Sequence, residues 1–308
     1  MKQILEYMPG NIKEVLIPYS DSVGITEIRI RAGRNIMLRF GTKEIICAGI
    51  ASKEDILNIL LNISKKSIYS IQNDINNGFL TIKGGHRIGL TGEVILERGS
   101  IKNIKNISSM NIRIARQING AADRIINCII QGNEMRNTLI VSPPGCGKTT
   151  ILRDAIKQIS SGKPKYGFEG RSVGLVDERG EIASVYNGVP MLDVGTRTDI
   201  MSFCPKHIGI SLLTRSMGPQ VIATDEIGSV EDVEVIKNAM LSGVNLLFTM
   251  HGKNIEDIFA NNEIKQMIEV GYFENIIILS NRKGPGTIER IYSDVNKNRR
   301  KGEMNVCS

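Results

Sequence analysis

At 308 residues, with 41% hydrophobic and 23% charged side chains, the chain has an ordinary globular composition and exceeds one typical domain. No apolar run reaches the roughly 18–20 residues a membrane span needs, and no h-region follows the N-terminus, so neither a span nor a signal peptide is expected. The five cysteines, at 47, 128, 146, 204 and 307, are never closer than 18 positions, which excludes CxxC metal or redox pairs and points to a reducing, cytoplasmic compartment.

The net charge of +7 is uneven: residues 1–118 hold 17 Lys/Arg against 10 Asp/Glu, and residues 119–308 hold 22 against 22. A basic first part suits a solvated face, nucleic acid, anionic lipid or a neighbouring subunit's phosphates. Aromatic content of 5% without Trp leaves few stacking platforms for single-stranded nucleic acid.

In chain order, residues 1–118 read as an α+β domain. Thr26–Arg31 (TEIRIR) alternates with Ile28 and Ile30 on one face, Gly33 turns the chain, and Ile36–Phe40 and Glu44–Cys47 follow as strands. Ser52 and Asp55 form a capping pair for a helix whose Ile56, Leu60 and Ile63 share a face, with Asn77-Gly78 as the stop. Phe79–Leu96 returns to strands interrupted by glycines 84, 85, 89 and 92, and Asn111–Arg116 is a last short strand.

From residue 119 to 296 strand and helix alternate. Ala121–Gln131 reads as helix, Thr138–Val141 as an apolar strand running into a helix that continues to Ile159. Val173–Val176, Val221–Thr224, Val244–Thr249 and Asn275–Leu279 are apolar strands fit for a parallel sheet buried on both faces. Ser211–Met217, Ser229–Leu241 and Ile255–Val270 fill the crossovers, with Gly243 and Gly271 ending the last two. Lys297–Ser308 is a polar, basic and disordered tail in this reading.

The strongest motif is Ser142-Pro143-Pro144-Gly145-Cys146-Gly147-Lys148-Thr149-Thr150. A triphosphate needs many N–H donors at close range, which a glycine-bearing loop entering a helix supplies. Lys148 adds a point charge for the β- and γ-phosphates of ATP, and the Thr149 hydroxyl suits Mg²⁺. The usual pattern begins with Gly; Ser142 is a small replacement that still permits the turn.

Three further strand ends carry chemistry. Val221–Thr224 ends in Asp225, a candidate for the Mg²⁺ shell, and Glu226, a candidate to polarise the attacking water. Val173–Val176 ends in Asp177 and Glu178, candidates for ordering water near the γ-phosphate, since strand C-termini of a parallel sheet converge on the ligand crevice. Thr249-Met250-His251 closes another strand, where a hydroxyl and an imidazole can sense the phosphate. His86 and His207 lack ligand-like spacing and read as structural. Arg87, Arg113, Arg116, Arg197 and Arg215 have no acidic sequence neighbour, and a phosphoryl-transfer site needs extra positive charge.

This fourfold set resembles the secretion-ATPase superfamily of type II and type IV secretion motors and pilus retraction ATPases. TEIRIRAGR (26–34), VDERGEI (176–182), LLTRSMGPQVIATDEIG (212–228) and the Thr249–Gly252 box sharpen the likeness to a stage III sporulation family of endospore formers, over nearly the whole chain. The resemblance implies a RecA-like P-loop α/β core with a mostly parallel sheet, preceded by a smaller α+β domain. It implies a homo-hexameric, mother-cell ATPase using ATP and Mg²⁺, peripheral to the membrane through membrane-bound channel components. Arg87 and Arg113 match places where pilus motors carry arginines that reach a nucleotide; Arg116 matches more loosely. Two departures stand out: Asp177-Glu178-Arg179 replaces the Glu-Asp-Pro of pilus motors, and no tetracysteine zinc motif is present. A nucleic-acid-dependent motor and a nucleotide-binding scaffold are the rival expectations.

Overall fold

A computed structural model describes residues 1–295; the expected tail at 297–308 lies outside the described residues. Two compact units emerge: Met1–Arg116 with Ser184–Leu192, and Gln117–Ala183 with the chain from Asp193 onward.

The first unit opens with α1 (Lys2–Leu5) and α2 (Gly10–Leu16), then builds β1 (Ile25–Arg31), β2 (Arg34–Phe40), β3 (Lys43–Ala51), α3 (Lys53–Ile63), α4 (Gln72–Asn76), β4 (Phe79–Ile82), β5 (His86–Glu97) and β6 (Ser100–Arg113). The sheet is antiparallel in order β3-β2-β1-β6-β5-β4. Period-two alternation gives it two different faces. Ile88, Ile112, Ile28 and Leu38 line up across four strands and are fully buried, packed with Ile56, Ile59 and Leu60 of α3 in one core. Each such side chain contributes about 1.5–3 kcal/mol by leaving water. One residue along, Arg87, Arg113, Glu27 and Arg39 form the corresponding row.

Local chemistry explains where these elements differ from expectation. The Ser52/Asp55 capping box forms, but α3 stops at Ile63 because Lys65 and Lys66 take positive φ; α4 is a separate piece before Gly78. Of the strand expected at Asn111–Arg116, only Asn111–Arg113 is strand, the end of the 14-residue β6, and residues 114–116 lie beyond it. The first part of β6 escapes a period-two reading because register shifts between Thr91/Glu93 and Ile95/Leu96 interrupt the alternation.

The second unit contains α5 (Ile126–Ile129), β7 (Ile130–Gln131), β8 (Glu134–Met135), β9 (Thr138–Ser142), α6 (Lys148–Ser161) and β10 (Val173–Asp177). The hairpin β11 (Val185–Tyr186) and β12 (Val189–Pro190) returns to the first unit. Then come β13 (Thr198–Ser202), α7 (Lys206–Ser216), β14 (Val221–Thr224), α8 (Val230–Leu241), β15 (Asn245–His251), α9 (Ile255–Ala260), α10 (Asn262–Val270), β16 (Asn275–Ser280) and β17 (Thr287–Tyr292). The sheet order is β13-β10-β14-β15-β9-β16-β17, parallel except for β17. β9, β10 and β14 are buried along their whole length, as a sheet covered on both faces requires.

Three helix expectations need correction. Ala121–Gln131 is mostly turn, with four residues of α5, because the Asp154 carboxylate on α6 captures the amides of Gly120 and Ala122 outside any helix. α7 starts at Lys206, five residues early. The helix expected across Ile255–Val270 breaks at Asn261, whose side chain accepts the Ile264 amide and caps α10.

Candidate nucleotide-binding site

β9 ends at Ser142, and the chain turns through Pro143-Pro144-Gly145-Cys146 into Gly147, the N-cap of α6. Gly147 has φ +82°, a left-handed conformation costly for any residue with a Cβ, and no side chain caps the helix. The first amides of α6 are therefore available to an anion, which the helix dipole also favours. Lys148, Thr149 and Thr150 make the first turn; Lys148 is only 6% exposed. The Gly286 amide donates to the Cys146 carbonyl at 2.8 Å, and a Cβ on Gly147 would lie 3.3 Å from the Gly286 nitrogen. Beside this contact opens a cavity of about 400 Å³ lined by Ile118, Arg124, Gly147, Thr150, Ile151 and the Lys283–Thr287 loop. Its size suits a nucleoside next to a phosphate loop. Arg124 and the 283–287 loop escaped the sequence reading; the glycine-flanked Pro285 was the available turn signal.

Parallel pairing sets Ser142 opposite His251 and Val176 opposite Thr224, so β9, β10, β14 and β15 end on one edge. At that edge three sequence candidates, Lys148, Glu226 and His251, meet together with Arg179. The Glu226 carboxylate lies 2.8 Å from His251 Nε2, 3.6 Å from Lys148 Nζ and 3.3 Å from Arg179 Nη1. Lys148 Nζ is also 3.3 Å from His251 Nδ1, so a neutral ring protonated at Nε2 satisfies both neighbours. Burial pushes the Glu226 carboxyl up, but Lys148, His251 and Arg179 outweigh it and hold it below its ordinary value. Burial lowers the Lys148 ammonium, against the attraction of Glu226.

Glu226 itself has φ +50°, uncommon for a side-chain-bearing residue. Fully buried Thr249 holds it there: its hydroxyl accepts the Glu226 amide at 2.9 Å, and its carbonyl accepts the Ile227 amide. Thr249 thus supports the acid, where the sequence reading gave it a phosphate-sensing role. Asp225 beside it is 3% exposed, and its Oδ1 is buried without a hydrogen-bond partner. Burial, opposed by Lys206 and reinforced by Asp177 and Glu226, pushes this carboxyl up to about 6. A buried, unsatisfied carboxylate oxygen at the strand edge that carries the phosphate loop fits a hard divalent cation.

The other candidates are engaged by partners of their own. Asp177 is fully buried, and its two carboxylate oxygens accept the amides of Glu181, Ile182 and Ala183 at 2.9–3.1 Å, so its lone pairs serve the loop. Glu178 is ion-paired with Lys206. Arg87 and Arg113 are directly paired across β5 and β6 of the first unit, and Arg87 stacks over Phe79 at 3.7 Å. Arg197 donates to the Ser160 carbonyl, which gives it a structural task.

A parallel sheet with a phosphate loop at the end of β9 and an acidic pair at the end of β14 defines a RecA-like P-loop core with a smaller α+β unit. Two solved structures share this fold: the pilus retraction motor PilT with bound ADP and the ATPase DotB of Legionella pneumophila. PilT gives a TM-score of 0.59 at 17% identity, over 90% of this chain and 77% of that one. DotB gives 0.56 at 14% identity, over 85% and 74%. The chain belongs to the family "Sporulation stage III, protein AA", whose model matches residues 1–300. The Stage III sporulation protein AA of Bacillus subtilis (strain 168) is 38% identical over 294 residues, 95% of each chain.

Proposed function

We propose that the chain is a Mg²⁺-dependent ATP hydrolase of the type II/IV secretion-ATPase kind. In this reading it works as a homo-hexamer in the mother-cell cytoplasm and energises or assembles a channel complex with membrane-bound partners during sporulation. The observation that carries it is the meeting of Lys148, Glu226 and His251 at the strand edge that also bears the capless N-terminus of α6 and the orphaned Asp225 oxygen. The sporulation role is supported by family membership, and ATP by the ADP named with PilT.

In the mechanism, the amides of Gly145–Thr150 and the Lys148 ammonium bind the phosphates and neutralise their charge. Thr149 and Asp225 would hold Mg²⁺, which would supply further charge neutralisation. Glu226, oriented by Thr249, polarises the attacking water; His251 steadies the Glu226 carboxylate. Asp177 acts one step back, holding the loop that follows β10.

Turnover and particle mass measured together across protein concentration, with and without single-stranded and duplex DNA, test the reading. Turnover that rises with assembly, ignores DNA and vanishes in Lys148→Ala is expected. Stimulation by DNA would favour a nucleic-acid motor, and nucleotide-driven assembly without turnover would favour a scaffold.

A further inference from the structure

We propose that Arg179 recognises the terminal phosphate of ATP from within its own chain, and that Glu226 holds it in reserve until the nucleotide binds. The inference rests on the ATPase reading and assigns a residue that this reading leaves unused.

Three groups surround one carboxylate: Lys148 at 3.6 Å, Arg179 at 3.3 Å and His251 at 2.8 Å from Glu226. Lys148 belongs to the phosphate loop, so Glu226 occupies one of the electrostatic partners that a terminal phosphate needs. A γ-phosphate carries more charge than a carboxylate and cannot share Lys148 with it without like-charge repulsion. Binding therefore moves Glu226 off Lys148, and Arg179, which reaches the same carboxylate, then faces the phosphate oxygens. A guanidinium with forked donors suits that partner better than a carboxylate alone.

The loop supports a placed arginine over an incidental surface pair. An exposed ion pair is worth little and needs no fixed backbone. Arg179, 58% exposed, nevertheless sits on a turn clamped from two sides. The buried Asp177 carboxylate accepts the amides of residues 181–183, and the buried Arg153 side chain donates to the carbonyls of Glu181 and Ile182. Gly180 has φ +65°, and a Cβ there would strike the Phe203 ring at 2.7 Å. The turn is thus held by buried groups on both sides, with Arg179 at its exposed tip.

The test compares Mg²⁺-dependent binding of ADP and of a non-hydrolysable ATP analogue by calorimetry, alongside turnover. Arg179→Ala is expected to bind ADP within about twofold of wild type, lose at least about tenfold in analogue affinity, and turn over at least about a hundredfold more slowly. Arg179→Lys restores part of the analogue affinity. Glu226→Gln, which releases both cations, binds the analogue at least as tightly as wild type. An unchanged analogue-to-ADP affinity ratio in Arg179→Ala, an equal loss of both ligands, or weaker analogue binding in Glu226→Gln overturns the proposal. Normal turnover in a folded Lys148→Ala would instead sink the phosphate-loop assignment on which the ATPase reading rests; a dead Lys148→Ala beside a wild-type-like Arg179→Ala sinks only this one.

Discussion

His86 is expected to make the stability of the first unit fall in acid. It is 5% exposed, its Nδ1 accepts the Ala115 amide at 3.1 Å, and its Nε2 has no partner. Burial, helped by the N-terminal ammonium, pushes its pKa down to about 4 from 6.5. The folded ring stays neutral while the unfolded one protonates, so stability present above about pH 6.5 is lost as pH falls towards 4, by about 3 kcal/mol at most. His86→Gln keeps an acceptor for Ala115 and should flatten that part of the profile. Denaturant midpoints of both proteins at pH 7 and 4.5 check this; identical slopes refute it. At the site, Glu226→Gln should retain nucleotide and slow turnover at least about a hundredfold, as loss of a water-orienting acid does. Asp177→Asn should act more weakly, through the loop it holds. The opposite ranking in single-turnover rates would return the catalytic role to Asp177.

Between strand and strand, the elements at the site are fixed by their caps. Ser229 accepts the Asp232 amide at 3.2 Å and Asp232 accepts the Ser229 amide at 3.2 Å, a capping box that starts α8 with its cap residue three positions after Glu226. Ser229→Ala should cost about 1 kcal/mol and Ser229→Thr much less. Urea midpoints measure both; an unchanged midpoint in the alanine variant would mean that tertiary packing alone sets the start of α8. That box, like the one at Ser52, is a local pattern with a local cause. The break at Asn261 is local too, yet the apolar periodicity runs through it, and only the hydrogen bond from Ile264 shows where one helix ends and the next begins.

Across the whole molecule, the excess positive charge of residues 1–118 includes two arginines set directly opposite each other. Within the unit Glu27 stands opposite Arg113 on β1 and Phe79 stacks under Arg87, so neither arginine is left unpartnered. A phosphoryl-transfer site needs extra positive charge, and we expect Arg87→Ala and Arg113→Ala to bind nucleotide but lose most turnover in the assembled protein. Mixing either variant with Lys148→Ala subunits should restore activity if the arginines act in trans. Full activity in both single variants would leave them as surface charges or contacts to an anionic partner.

The phosphate loop was legible because its chemistry is contiguous: a buried strand, two glycines, Lys148 and a helix follow one another in the chain, and so do Asp225 and Glu226 after β14. The faces of β1 and α3 were legible for the same reason, since burial repeats with the period of the element. Only the tertiary structure decided what the acids do. Asp177 and Glu226 look alike as acids at strand ends, yet one is consumed by amides of its own loop and the other gathers the Lys148 and Arg179 cations and the His251 imidazole. Which partners reach a carboxylate depends on strand order, and the placement of β15 between β9 and β14 is set by long-range packing that no local pattern encodes.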